Sequence, residues 1–200
     1  MKNYILLSVL ISISCSKIRN PNDNQKVIVI QPFGDFKLSQ AKNVYNQILK
    51  INPNVVLKES IPFPKNSFYK PRNRYRADSI IKNLKNSIGE DSIIVGLSNM
   101  DISTTKGKVK DWGIMGLGYR PGKSCVVSDF RLNNKNKNEQ FYKVVLHELG
   151  HTEGLPHCPK KTCLMRDAEG KNHLDEETKF CESCQNYLIE NGWKINKAFP

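Results

Sequence analysis

Apolar and polar residues alternate along the first two thirds of the chain with two different periods. Short apolar runs predict strands, and the clearest run, SIIVGL at 92–97, is apolar throughout, as expected for a strand buried on both faces. Apolar residues at intervals of three and four predict helices between the runs. The predicted strands are 26–31, 54–58, 92–97, 112–119 and 125–130, and the predicted helices are 38–51 and 77–88. This alternation favours an α/β layer arrangement.

The other segments are predicted from their prolines and their periodicity. Residues 60–76 contain three prolines and are predicted to form a loop. Residues 138–140 are polar, and the apolar residues that follow them at helical spacing predict a helix through Leu149. A last helix is predicted over 176–191.

The helix predicted from residue 138 runs into HELGHTEGLPH, which holds three of the four histidines. His147 and His151 lie one turn apart on the same helix face, so both imidazoles can bind one ion. Glu148 is rotated by about 100° and faces the cleft beside that ion, which suits a general base. Gly154 can end the helix, so that His157 approaches as a third ligand from a loop. Three neutral histidines leave one zinc position open for water, which is typical of a catalytic site.

Four of the six cysteines follow directly, at positions 158, 163, 181 and 184. Their paired spacing beside a histidine site favours an all-cysteine structural zinc. In an oxidising compartment they could instead form two disulfides, and the CxxC pair could be a redox motif. Cys181 and Cys184 would lie on the early turns of the last predicted helix. Cys125 is predicted to be a small core residue.

Together these motifs resemble the signature of the archaemetzincins, a branch of the metzincin zinc peptidases. The resemblance covers about forty residues and joins the long histidine motif to Leu164, Met165 and the four-cysteine set. It implies a catalytic zinc on the three histidines, Glu148 as general base and Met165 as the Met-turn residue beneath that zinc. The implied ligands of a second, structural zinc are Cys158, Cys163, Cys181 and Cys184.

The resemblance also implies a fold. It is an α/β (α+β) metzincin-like zincin domain with a mixed, mostly parallel sheet, an active-site helix and a small C-terminal zinc-bound subdomain. Residues 27–200 would form one metallopeptidase domain, with 27–151 as its N-terminal part and 152–200 as its C-terminal part. In metzincins an antiparallel edge strand above the active-site helix binds the substrate in extended form, and 114–118 is the candidate here.

The N-terminus has the pattern of an export signal. Residues 1–15 read MKNYILLSVLISISC, with Lys2, an apolar run too short to span a membrane, and then Cys15. Ser14 provides the small residue expected before a cleavage site. Cys15 is therefore a candidate for lipidation, as in a bacterial lipoprotein, and the polar residues 16–26 are predicted to be a tether.

The net charge of +12 adds little to this picture. Lysines and arginines are scattered without a nucleic-acid-binding motif, so a solvated basic surface is favoured and no nucleic acid partner is expected. Membrane contact would come through the N-terminal lipid, and the basic surface could lie against anionic headgroups. A group of charged side chains is predicted to face solvent: Glu153, Asp167, Glu169, His173 and Asp175.

The sequence therefore predicts an exported, lipid-anchored, monomeric zinc peptidase that acts on a peptide or protein substrate. Two zinc ions per chain are expected. Two alternatives come from other classes: a catalytically silent zinc-stabilised binding protein, and a thiol/disulfide protein that uses the CxxC pair. The cleavage preference is not encoded in any motif recognised in the chain.

Overall fold

The computed structural model describes residues 26–195. The predicted signal segment, its Cys15, and 16–25 of the predicted tether lie outside the described residues. The described strands are β1 (Val27–Pro32), β2 (Val55–Leu57), β3 (Phe68–Tyr69), β4 (Arg74–Arg76), β5 (Ser92–Ser98), β6 (Ile102–Lys106), β7 (Val109–Ile114), β8 (Gly116–Gly118) and β9 (Ser124–Ser128). The α-helices are α1 (Leu38–Leu49), α2 (Ala77–Lys85), α3 (Lys137–Glu153) and α4 (Glu182–Glu190).

The main sheet has the strand order β2-β1-β5-β9-β8. Its first four strands are parallel, and β8 pairs antiparallel with β9 at the edge. The central strands are buried almost throughout, which explains their continuous apolar runs. The predicted mixed, mostly parallel sheet with helices is confirmed.

Two hydrophobic cores lie on opposite faces of this sheet because successive strand residues point to opposite sides. On one face, Ile28 and Val95 pack in the same cluster as apolar residues of α1 and α3. On the other face, Val29 and Ile94 pack with α2 through Ile80, Ile81 and Leu84. Complete burial of each such side chain stabilises the fold by roughly 1.5–3 kcal/mol. The first core fixes α3, the helix with the histidine motif, beneath β8 and β9.

A second, four-stranded sheet was not predicted. Its order is β3-β4-β6-β7, and it includes part of the segment 60–76 that was predicted to be a loop. The predicted strand 112–119 is also two strands, because Ile114 pairs with Ile102 in the second sheet whereas Gly116 pairs with Val127 in the main sheet. Strands β4 and β7 contain charged residues and are only partly buried, so no apolar alternation indicates them.

The C-terminal part has little regular secondary structure. The predicted helix 176–191 is wrong in its first third: α4 begins at Glu182, so Cys181 precedes the helix and only Cys184 lies on its first turn. The chain before α4 is instead held extended, because the Leu164 amide donates to the Lys179 carbonyl and the Thr178 amide to the Thr162 carbonyl. Among the described residues, no helix is both long and apolar enough to span a membrane.

Candidate active site and four-cysteine cluster

Helix α3 presents His147 and His151 one turn apart, with ring centroids separated by 4.6 Å. The helix ends at Gly154, whose φ of 113° lies in the left-handed region that favours glycine. After this turn His157 lies beside the helix, and its Nε2 is 3.2 Å from Nε2 of His151. The spacing of the motif thus places three imidazoles together.

Carbonyl and carboxylate oxygens fix the orientation of all three rings. Nδ1 of His147 lies 2.6 Å from the Leu164 carbonyl, and Nδ1 of His151 lies 2.8 Å from the Leu155 carbonyl. Nδ1 of His157 is 3.2 Å from Oδ2 of Asp167. Since each Nδ1 proton has an acceptor, each Nε2 is left with a lone pair for a metal.

The histidines next to the core are held neutral. The pKa of His147 is lowered to about 3, mainly by burial and also by the neighbouring histidines. The hydrogen bond with the Leu164 carbonyl opposes this shift. Burial also lowers the pKa of His151. A neutral imidazole is the form that binds a metal, so the environment favours ligation over protonation.

Met165 is completely buried and packs against α3. A Cβ at Gly150 would lie 2.5 Å from Sδ of Met165, so glycine permits this close approach. The Cys158 amide donates to the Met165 carbonyl at 2.7 Å. The role of Met165 as the Met-turn residue beneath a zinc ion stays a prediction.

Glu148 points from α3 toward the edge strand β8. Its side chain is buried, and the Gly118 amide donates to its carboxylate. Burial raises the pKa of Glu148 to about 8, and the Gly118 hydrogen bond lowers it only in part. The carboxyl group can therefore take up and release a proton near neutral pH.

Two glycines of β8 create the space for this carboxylate. A Cβ at Gly116 would lie 2.6 Å from Oε1 of Glu148, and a Cβ at Gly118 would lie 2.9 Å from the Glu148 carbonyl oxygen. Sequence analysis missed their role, although the signal was visible as two glycines at strand spacing inside the candidate edge strand 114–118. That candidate is where the described fold places the antiparallel edge strand β8.

The four cysteines converge at one point behind the histidine group. Their sulfur atoms all lie within 4.8 Å of one another, and Sγ of Cys158 is 3.7 Å from Sγ of Cys181. None of the described cysteines forms a disulfide. The Met165 and Cys181 amides donate to Sγ of Cys163, at 3.5 and 3.3 Å. Burial, together with the charges of the neighbouring sulfurs, raises the pKa of Cys163 to about 11. The effect of burial is overcome at Cys181, where hydrogen bonds from the other cysteines lower the pKa to about 7, so the cluster holds one thiol that ionises near neutral pH.

Both groups have the dimensions of zinc sites. Bonds of about 2.0–2.1 Å to nitrogen and about 2.3 Å to sulfur, in tetrahedral geometry, place two nitrogens about 3.3 Å apart and two sulfurs about 3.8 Å apart. The observed separations of 3.2 Å between nitrogens and 3.7 Å between sulfurs are close to these values. The donor sets also suit zinc, which prefers nitrogen and sulfur ligands.

A cavity of about 610 Å³ runs past the histidines. One wall comes from the second sheet and β8, including Trp112 and Gly116, and the other comes from residues 166–174 and Glu177. The second sheet, absent from the sequence prediction, therefore forms part of the cleft. Arg131, which follows β9, also lines the cavity, and its Nε donates to Asp101 at 2.7 Å.

Several charged side chains differ from their predicted solvent-facing state. Glu153 is buried, accepting hydrogen bonds from Nζ of Lys26 at 2.9 Å and Nε1 of Trp193 at 3.2 Å. His173 keeps only 16% of its side chain exposed and lies 3.3 Å from Glu176. Asp167 is exposed as predicted but orients His157, a role that no pattern indicated. Cys125, predicted to be in the core, is completely buried.

Sequence and structure comparisons identify the family. The sequence profile of Peptidase family M54 matches residues 31–190. The archaemetzincin of Methanopyrus kandleri is 30% identical over 140 residues, covering 68% of this chain and 78% of its own length. The archaemetzincin of Natronomonas pharaonis is 25% identical over 174 residues, covering 80% of this chain and 98% of its own.

Solved archaemetzincins share the fold. The crystal structure of the Methanopyrus kandleri protein superimposes with a TM-score of 0.70 at 24% identity, covering 84% of this chain and 96% of that one. The Archaeoglobus fulgidus archaemetzincin, solved in complex with malonate, gives a TM-score of 0.68 at 24% identity, covering 80% of this chain and 98% of that one. With the family profile spanning most of the chain, these matches confirm the resemblance. The chain belongs to peptidase family M54, the archaemetzincins, and is a zinc metallopeptidase.

Proposed function

We propose that this peptidase hydrolyses peptide bonds with Glu148 as the general base and with zinc held by His147, His151 and His157. The observation that carries the proposal is the common geometry of these groups. One ring nitrogen of each histidine lies within 4.8 Å of the other two, and a buried carboxyl lies at the next helix position beside the edge strand. When bound there, zinc supplies a Lewis acid that polarises the scissile carbonyl and lowers the pKa of water toward about 7.

The residues of the chain perform the remaining steps. The outer edge of β8 binds the substrate in extended form through main-chain hydrogen bonds, since none of the described strands pairs with that edge. Glu148 accepts a proton from the attacking water and passes it to the leaving nitrogen. The Gly118 amide holds the carboxylate in place during both transfers. Asp167 keeps Nδ1 of His157 protonated and thereby orients the third imidazole.

We also propose that the four cysteines hold a second zinc with a structural role. Four sulfur ligands would close the coordination shell, so no position remains for a substrate or for water. The site would tie the segment 158–163 to the beginning of α4. This distance supports zinc over a disulfide, since the separation of 3.7 Å between Sγ of Cys158 and Sγ of Cys181 far exceeds the S–S bond length of about 2.05 Å.

A peptide-library digest read by mass spectrometry tests the catalytic proposal. The zinc-loaded chain should cleave members of the library, and Glu148→Ala should lose at least about a hundredfold in rate. Glu190→Ala, an exposed glutamate at the end of α4, serves as the matched control and should cleave normally. No cleavage by the wild type would favour a silent binding protein, and equal cleavage by Glu148→Ala would refute Glu148 as the general base.

Metal analysis with thiol counting tests the two sites separately. We expect two zinc ions per chain and four thiols that become reactive only after chelation. One zinc ion together with two disulfides would overturn the structural site and leave the catalytic proposal intact. Free thiols that cycle with a dithiol reductant would instead favour the redox alternative.

For the N-terminus we propose export and lipid attachment at Cys15, supported by the signal pattern of residues 1–15. Expression in a bacterial host with labelled fatty acid should give a labelled, membrane-associated protein. Cys15→Ala should abolish the label. A label that persists in this variant would show that Cys15 is not the attachment point.

A further inference from the structure

A second buried glutamate, Glu177, lines the active-site cavity and has no role in the proposed catalytic steps. Glu177 lies in the cavity wall with only 3% of its surface exposed. Its Oε2 has no hydrogen-bond partner among the described residues. A buried carboxyl oxygen without a partner destabilises the fold, so its position in a cavity wall points to a ligand that supplies the missing partner.

The neighbouring charges do not neutralise Glu177. Arg166 and Lys143 are the two cations whose charges favour the ionised form of Glu177. Arg166 pairs with Glu176 at 2.7 Å, and Lys143 pairs with Glu139 at 2.7 Å while also donating to the Leu174 carbonyl. Each cation therefore already has its own carboxylate. The negative charge of Glu177 is the one left over.

The surroundings of Glu177 suit the stem of a long cationic side chain. Val144, one turn before His147 on α3, and Leu174 line the same cavity and supply apolar surface. A lysine or arginine side chain packs its methylene groups on apolar surface and places its charge on a polar group at the end. Val144, Leu174 and the Glu177 carboxyl line one cavity and together offer both kinds of surface.

We propose that Glu177 is a specificity-determining residue that binds a cationic nitrogen of the substrate, an ammonium or a guanidinium group, beside the scissile bond. This inference rests on the proposed peptidase function and adds a substrate class to it. The cation restores local charge balance and gives Oε2 a hydrogen bond that residues 26–195 do not supply. Peptides with lysine or arginine near the cleavage point are therefore the preferred substrates.

Matched peptides that differ at one position test the proposal. Each N-acetylated, C-amidated peptide carries lysine, arginine, norleucine or glutamate on one side of the cleaved bond, and a parallel set has a free amino terminus. Cleavage is measured as kcat/KM, and binding is measured by fluorescence anisotropy on zinc-loaded Glu148→Gln. The chain variants are Glu177→Gln, which keeps the shape and removes the charge, and Glu190→Gln, which makes the same change on an exposed helix end.

We expect lysine or arginine to be favoured over norleucine by about ten- to a hundredfold in the wild type and in Glu190→Gln. In Glu177→Gln the preference should fall below about threefold. A preference found only in the set with a free amino terminus would identify the terminal ammonium as the cation. Equal values for lysine and norleucine, or a preference that persists in Glu177→Gln, would overturn the inference.

The two proposals can fail separately. Cleavage that depends on Glu148 but ignores the charge at every position would refute the role of Glu177 and leave the peptidase mechanism standing. Absence of cleavage, combined with tighter binding of lysine peptides that disappears in Glu148→Gln/Glu177→Gln, would refute the mechanism and support the cation site.

Discussion

At the scale of single residues, the catalytic geometry depends on positions that carry no chemistry of their own. Gly116 and Gly118 are in contact range of the Glu148 side chain and backbone, and any side chain at either position would occupy space that Glu148 now fills. The position of this proposed base therefore depends on two glycines in β8 as well as on its place between His147 and His151.

Gly116→Ala should inactivate the enzyme without unfolding it. The new methyl group would lie 2.6 Å from Oε1 of Glu148, so the carboxylate must move from its position under the strand. We expect kcat/KM to fall by about a hundredfold or more, the scale of general-base catalysis. Gly89→Ala is the matched control, since its Cβ would meet nothing within 4 Å. Full activity of Gly116→Ala with unchanged zinc content would show that Glu148 need not be held this tightly.

Glu177 should make the stability of the chain depend on pH in a way that Glu177→Gln does not. Burial raises the pKa of Glu177 to about 7, although Arg166 and Lys143 oppose the shift. Below its ordinary pKa of 4.5 the group is protonated in the folded and unfolded states and has no effect on stability. Between pH 4.5 and 7 only the unfolded chain ionises, so the free energy of unfolding falls as pH rises, and above pH 7 the loss is complete.

Denaturant unfolding of both proteins at pH 4 to 8 measures this effect. Relative to the wild type, Glu177→Gln should gain about 3 kcal/mol between the two ends of the range. A difference that is independent of pH would show that Glu177 is solvated in the folded chain. In that case it would have little reason to bind a substrate cation.

At the scale of secondary structure elements, the sequence predicts the helices and strands that have periodic apolar residues. It does not predict those that form only through pairing with distant parts of the chain. Helix α3 and the central strands were recognisable because burial requires long apolar patterns from them. Strand β4 was not, because Arg74–Arg76 is charged and pairs with β6 only after the chain has passed through α2 and β5. The start of α4 was placed too early because nothing local reveals that 178 and 179 are hydrogen-bonded to 162–164.

The candidate site was more predictable than the fold around it. All three histidines, Glu148 and the four cysteines were found by spacing, because each set lies within one short segment. Asp167 and Glu177 were not found, since a single carboxylate in a polar stretch has no pattern. Their importance depends on which atoms the folded chain places beside them.

The loop that contains the adjacent residues His157 and Cys158 should couple the two metal sites. The two residues are bonded to each other, and the Cys158 amide is hydrogen-bonded to the Met165 carbonyl. Cys158→Ser should therefore weaken zinc binding at the histidine site by about ten- to a hundredfold, as loss of a supporting contact does in other metal sites. Cys184→Ser also removes one sulfur but lies on α4, so its effect on the histidines should be smaller. Competition with a graded series of chelators measures both affinities, and equal values for the two variants would contradict coupling through the loop.

At the scale of the whole molecule, stability is divided unevenly. The sheets with α1, α2 and α3 form two apolar cores, whereas the described residues between α3 and α4 contain no helix and no strand longer than a single bridge. That region contains Phe180 and Met165 as buried side chains, yet its backbone is ordered largely by turns. It also contains or borders all the proposed metal ligands outside α3. Zinc should therefore contribute most of its free energy to this part of the chain.

Removal of zinc by a chelator should therefore destabilise residues 155–181 before it destabilises the main sheet. A zinc ion bound at a thousand times its dissociation constant adds about 4 kcal/mol, and in a chain of this size each kcal/mol corresponds to about 2–4 °C in the melting temperature. We expect the melting temperature to fall by about 8–16 °C or more when zinc is removed. Hydrogen exchange should increase first at 155–181, while β1 and β5 stay protected. A turn-rich segment that only packs against the core should open by itself. Uniform loss of protection would therefore mean that the metal sites and the sheet unfold as one unit.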